Sequence, residues 1–125
     1  MKTRFEIGRA EITEDKVRLH AEGLEADVKE LSPKGQMLAD SDNLSFVYIL
    51  ENQNSDFVYA GLPSNIWGEL RTGLEKSIPF YLALGEREIE LLSLHEELSY
   101  LIENIKDNAN YGEKMEEKVQ ELFYT

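Results

Sequence analysis

The run Leu44-Ser45-Phe46-Val47-Tyr48-Ile49-Leu50 organises the apolar pattern of the chain. Leu44, Phe46, Tyr48 and Leu50 share one face at the two-residue period of a strand, while Val47 and Ile49 make the opposite face apolar as well. A strand apolar on both faces needs cover on both, which predicts a place near the middle of a sheet with helices or a second layer over it. Upstream, Arg4 and Glu6 alternate with Phe5 and Ile7. Thr13-Glu14-Asp15 then supplies a turn into Val17, Leu19 and Ala21, which alternate with polar neighbours, so the two segments read as a hairpin with one wet face.

The pattern weakens through Ala26, Val28 and Leu31. Ser32-Pro33-Lys34-Gly35 has turn chemistry, because Pro presets φ and Gly accepts positive φ. Met37-Leu38-Ala39 is a short apolar patch, broken by Asp40-Ser41-Asp42-Asn43 just before the organising strand. The polar loop Asn52-Gln53-Asn54-Ser55 joins that strand to a second β-rich run at 56–60, which predicts an antiparallel hairpin.

The period then changes. Ile66, Trp67, Leu70 and Leu74 form a helical stripe after Pro63, with Ser64 or Asn65 available as N-cap and Trp67 as the anchor. Gly68 and Gly73 each cost such a helix about 1 kcal/mol relative to Ala, so it depends on docking. Residues 78–84 and 87–92 return to strand preference, and Pro79, Glu88 and Glu90 suit a sheet edge. Ser93-Leu94-His95-Glu96 has the form of a capping box ahead of the stripe Leu94, Leu98, Leu101, Ile102 and Ile105. Asn108 suits a left-handed helix end, and Asn110 to Glu113 can open a last helix with Met115, Val119, Leu122 and Phe123 on one side. The expected fold is one α+β domain over 1–125. It has an antiparallel sheet of about five to seven strands built from hairpins, covered by a mid-chain helix at 64–76 and C-terminal helices at 93–106 and 113–123.

Length changes this picture little: 125 residues fit one domain that buries roughly two-thirds of its unfolded surface. Charge changes it more. Thirteen basic and twenty-five acidic side chains give −12, so nucleic-acid phosphates and anionic lipid are repelled over a screening length of about 8 Å. Residues 86–125 hold four basic and eleven acidic side chains, against nine and fourteen before them, which makes the last third the more acidic surface. Such a surface serves solubility, or a basic partner, or imitates a phosphate backbone. The chain has no Cys, hence no disulfide or thiolate chemistry, and no apolar run of membrane length. Its first residues enter an alternating pattern without a signal-peptide core, so a cytoplasmic protein is expected.

Asp40 and Asp42, two residues apart with Asn43 alongside, resemble the start of an oxygen-donor loop for Ca²⁺ or Mg²⁺. The rest of a calcium loop is missing: the sixth position is Ser45 rather than Gly, and a strand separates Glu51 from the aspartates. Asx residues before a strand equally make turns through their own backbone. His20 and His95 have no second His or Cys at ligand spacing, and His95 and Glu96 face different directions on a helix. Asn104, Asn108, Asn110 and Tyr111 cluster at a helix end, where caps explain Asn108 and Asn110 but less readily Asn104. No phosphate loop, nucleophile elbow or basic patch is present, and no cofactor is expected.

These residues favour a protein-interaction or regulatory module over an enzyme, with Glu103, Asn104, Asn108, Asn110 and Tyr111 as partner surface on the acidic C-terminal helices. The alternatives are a small-ligand or divalent-metal protein using Asp40 and Asp42, and a nucleic-acid mimic. The Met115, Val119, Leu122 and Phe123 stripe can dock on its own core or form a homodimer through the C-terminal helix.

Two stretches carry a family resemblance. One runs from Gly35-Gln36-Met37-Leu38-Ala39-Asp40-Ser41-Asp42-Asn43 into Phe46-Val47-Tyr48-Ile49-Leu50-Glu51. The other links His95-Glu96-Glu97-Leu98, Tyr100-Leu101 and Asn104-Ile105 to Asn108-Ala109-Asn110-Tyr111-Gly112. The chain resembles the YjbL-like proteins of unknown function, small acidic proteins of Bacillus-type bacteria. The resemblance implies a bacterial cytoplasmic protein and carries over no activity or site residues.

Overall fold

A computed structural model describes residues 3–21, 31–84, 87–106 and 108–124 of the chain. The weak pattern at Ala26 and Val28 and the turn residues Gly85 and Glu86 lie outside them. Seven strands form one sheet: β1 (Thr3–Ile12), β2 (Val17–Ala21), β3 (Ser32–Asp40), β4 (Ser45–Glu51), β5 (Phe57–Pro63), β6 (Phe80–Leu84) and β7 (Arg87–Glu90). Their order across the sheet is β3-β4-β5-β1-β2-β6-β7. Three helices follow the chain order: α1 (Trp67–Lys76) between β5 and β6, then α2 (Leu94–Ile105) and α3 (Glu113–Phe123) after β7.

The fold is α+β, but its sheet is mixed, which corrects the expectation of a purely antiparallel one. The expected hairpins β1–β2, β4–β5 and β6–β7 are antiparallel, as is β3–β4, whereas β1 runs parallel to β5 and β2 parallel to β6. β1 makes both halves one sheet. Its Thr3–Glu6 stretch pairs with β5 and its Ile7–Ile12 stretch with β2, with a bulge between Ile7 and Arg9. The extra residue, Gly8, shifts the alternation, so that Phe5 and Ile7 before it and Ala10 and Ile12 after it all face the helices. α1 carries the chain from β5 across β1 and β2 to β6, the longer connection a non-adjacent strand requires.

The organising strand β4 is second from the edge rather than central. Phe46, Tyr48 and Leu50 enter the main core with Trp67 and Leu70 of α1, Leu94, Leu98, Ile102 and Ile105 of α2, and Met115 and Val119 of α3. The Trp67 indole donates to the Leu62 carbonyl at 2.9 Å and lies 4.7 Å from the Phe46 ring, which confirms it as the anchor of α1. Phe123 closes the cluster against Phe46 and Trp67, so the α3 stripe is docked on its own chain, one of the two arrangements the sequence allows. Tyr48 donates to the Leu92 carbonyl at 2.6 Å, and burial pushes its phenol up to about 12.

Several local devices differ from those expected. Ser32-Pro33-Lys34-Gly35 is no turn but the start of β3, where the register shifts between Pro33 and Gln36 and Gly35 takes φ +70°. Ser64–Ile66 winds into a short 3-10 turn ahead of α1, and neither Ser64 nor Asn65 supplies a side-chain cap. The capping box at Ser93 does not form: Ser93 itself sits at φ +63°, a left-handed bend that takes the chain from β7 into α2. Glu97, not Glu96, turns back to the sheet, where it accepts the Met37 amide at 3.2 Å.

Candidate functional site

Asp40 ends β3 and builds the turn that follows. Its carboxylate accepts the Asn43 amide at 3.4 Å and the Asn43 side chain at 2.8 Å, and Leu44, at φ +47°, completes the bend into β4. The same carboxylate accepts Arg4 Nη1 at 2.8 Å, while Arg4 Nε donates to Glu6 at 2.6 Å. Glu6 in turn lies over Gly61, where a Cβ would collide with its carboxylate. Burial alone would raise the Asp40 carboxyl, but the bonds from Asn43 and Arg4 outweigh it and hold the group below its ordinary value.

Asn108 builds the second half of the corner. Its side-chain oxygen accepts the Asn110 amide at 3.0 Å and its carbonyl accepts the Tyr111 amide, so residues Ala109–Tyr111 close into a single 3-10 turn. Asn108 does not take the left-handed helix end expected of it. Gly112, at φ +95°, then starts α3 without a side-chain cap, and burial of Met115 fixes where that helix begins.

These two turns meet. Ser41 and Asp42 face Asn110, Tyr111, Gly112, Glu113, Lys114 and Met115 across a shallow depression of about 550 Å³. Asp42, placed among cation ligands by the sequence, is thereby joined to Asn110 and Tyr111, placed in the partner surface. The other candidates separate from them. Asp40 turns away to Arg4, Asn108 spends its amide oxygen on the turn, and Asn104 is exposed on α2. Glu103 borders a different groove of about 310 Å³, with Arg71, Leu74 and Phe123. Among the described residues no three His, Asp or Glu side chains are arranged to hold a metal ion.

Neither histidine joins this corner. His20 lies 3.2 Å from Glu11 on the open face of the sheet. His95 donates Nε2–H to the Ile78 carbonyl at 2.6 Å and packs on Phe80. Sequence reasoning missed Glu113 and Lys114 as neighbours of Asp42, and it missed the open-face hollow of about 330 Å³ between Arg4, Leu38, Asp40, Val47 and Tyr59. The signal for the hollow was present in the two-sided apolar pattern of β4; nothing local pointed to the first group.

Among the described residues no helix is long and apolar enough to cross a membrane. No solved structure matches the chain. A model of the UPF0738 family, described as a family of unknown function, matches residues 5–123. The chain is 51% identical to the UPF0738 protein YjbL of Bacillus subtilis, over 98% of this chain and 99% of that one. It is 48% identical to a UPF0738 protein of Bacillus licheniformis over the same shares, and 40% identical to one of a Geobacillus species over the whole of both chains. With the match spanning both turns and the whole sheet, the chain belongs to the UPF0738 family.

Proposed function

We propose that this protein works in the cytoplasm as a binding module, and that the corner formed by Ser41, Asp42, Asn110, Tyr111 and Glu113 receives a basic segment of a protein partner. The observation that carries this reading is the convergence of two turns on one depression, each built by its own Asx side chain. Its chemistry suits a peptide: carboxylates at Asp42 and Glu113 for a cation, an amide at Asn110 for backbone groups, and a phenol at Tyr111 for apolar contact. The acidic excess of residues 86–125 steers a basic partner toward this side.

A photo-crosslinking residue at Tyr111, used in a Bacillus cell expressing the full chain, tests it. The expected result is a captured protein whose yield falls at least about tenfold with Asp42→Lys plus Glu113→Lys, and falls again as salt rises. Capture unaffected by that charge reversal in a chain that melts normally, or no capture at all, overturns the reading.

A further inference from the structure

We infer that α3 controls the corner at Asp42 and Tyr111: it opens from the rest of the protein as a unit while the sheet stays folded, and the corner exists only while it is docked. This rests on the binding role of the corner and adds its regulation. Ser41 and Asp42 are fixed by the β3–β4 turn, whereas Gly112, Glu113, Lys114 and Met115 are the N-cap and first residues of α3. One wall therefore belongs to the sheet and the other to a helix that packs on α1 and α2.

Docking is what orders that helix. At 11 residues it is shorter than the roughly 12–15 that begin to form alone in water. No side chain caps its start, where Gly112 stands at φ +95°, and no basic residue lies in its last turn. Its i,i+4 pairs of charges, Glu113 with Glu117, Lys114 with Lys118 and Glu117 with Glu121, are all of like sign. Surface contacts such as Lys118 with Glu121 at 3.6 Å and Lys106 over the Tyr124 ring at 4.6 Å offset this only weakly. The order of α3 thus comes chiefly from Met115 and Val119, which are buried, and from Leu122 and Phe123, which are half-buried.

Opening uncovers Phe46 and Trp67 where Phe123 lies, 6.2 and 5.7 Å from them, and leaves α1 and α2 on the sheet. Because the corner is lost in the open state, whatever binds there holds α3 shut, and whatever favours the open state releases it.

Native-state hydrogen exchange of the full chain in low urea measures the opening without a partner. Amides of α3 are expected to exchange at least about a hundredfold faster than those of β4, with a shallower urea dependence because less surface is exposed. Leu82→Ala sharpens this, since β6 lies four strand spacings, about 19 Å, from β4. It is expected to speed β4 exchange at least about a hundredfold and α3 exchange less than about twofold, because Leu82 keeps its packing when only α3 opens. Equal urea slopes, or equal acceleration by Leu82→Ala, mean that α3 unfolds only with the sheet and overturn the inference.

Val119→Asp reads the regulation, because it puts a carboxylate at a buried position of α3. The variant is expected to keep β4 amides protected, to raise acrylamide quenching of Trp67, the only tryptophan, and to cut capture at Tyr111 at least about tenfold. Loss of β4 protection together with α3, or full capture by a variant whose α3 is open, overturns the inference. Separate exchange of α3 in a parent chain that captures nothing overturns the binding role of the corner and leaves the opening established.

Discussion

The open face of the sheet is two surfaces joined at β1. Over β2, β6 and β7 it is charged: Glu88 binds Lys16 at 2.6 Å and also Arg18, and Glu11 binds Arg18 and His20, both at 3.2 Å. Over β3, β4 and β5 it is apolar, with Val47 and Ile49 buried and a charged pair from Arg4 to Asp40 lining the same hollow as Val47. Both surfaces lie opposite the same core and obey the same alternation. The difference is the residue type placed on outward positions, and it changes what the surface can do. The charged half pairs its groups with one another and has little to offer a partner, since exposed ion pairs contribute about 0–1 kcal/mol each. The apolar half leaves surface unspent.

The sharpest test of this contrast is one buried charge. Val47→Asp is expected to cost about 3 kcal/mol or more, since a carboxylate would be buried where the side chain is 5% exposed and the neighbouring Arg4 is already engaged by Glu6 and Asp40. Arg18→Met in the charged half is expected to change stability by less than about 1 kcal/mol, because the apolar stem is kept and only partly exposed pairs are lost. Urea midpoints of the two variants decide it. Equal losses would mean that the apolar half is as well solvated as the charged one.

Two glycines extend the comparison through the sheet. A Cβ on Gly73, on the core side, would lie 2.5 Å from the Phe80 ring and 2.9 Å from Val17. Gly73→Ala is expected to cost about 1–2 kcal/mol, with overpacking of about 1–3 kcal/mol exceeding the roughly 1 kcal/mol gained in helix propensity. A Cβ on Gly61, on the open face, first meets the end of the Glu6 side chain, which can swing away. Gly61→Ala is therefore expected within about 0.5 kcal/mol of the parent, as the chain entropy gained offsets a weakened Arg4–Glu6 pair. Thermal melts of both variants give the comparison.

This division explains what was legible in the sequence. The stripes behind Trp67, Leu94 and Met115 located three helices to within three residues, because helix periodicity records a one-sided environment. The hairpins around Glu14, Asn54 and 84–87 were legible because turn chemistry is local. The parallel pairs β1–β5 and β2–β6 were not. A strand's alternation records which face is buried but not the direction of its neighbour, which here depends on the path of α1 over β1 and β2. β3 was missed because Pro33 and Gly35 form a bulge in a strand with the residues of a turn. Ser93 failed as a cap because the chain needs its left-handed bend more than its hydroxyl. The corner at Asp42 and Tyr111 was read as two separate sites, since only the docking of α3 beside the β3–β4 turn brings them together.

The smallest expected effect separates the two halves electrostatically. Glu88 is held below its ordinary value of 4.5, first by Lys16, and Asp40 below 3.8, where the bonds from Asn43 and Arg4 outweigh burial. Both folded-state values are depressed, so each contribution to stability is present above the unfolded value and is lost as pH falls through the folded one, below about 4.5 for Glu88 and below about 3.8 for Asp40. Carboxyl NMR titration reads each group alone. Arg4→Met is expected to bring Asp40 up to its ordinary value or above it, because burial stays while a partner is lost, and to leave Glu88 in place. Lys16→Met is expected to raise Glu88 and leave Asp40. The two groups belong to opposite ends of a seven-stranded sheet, and at about 0.1 M salt interactions beyond about 10 Å are screened. If both carboxyls moved in either variant, the Arg4–Asp40 pair and the ion-pair cluster would be one electrostatic system, and the apolar half would owe its exposure to the charged half as well as to its own residues.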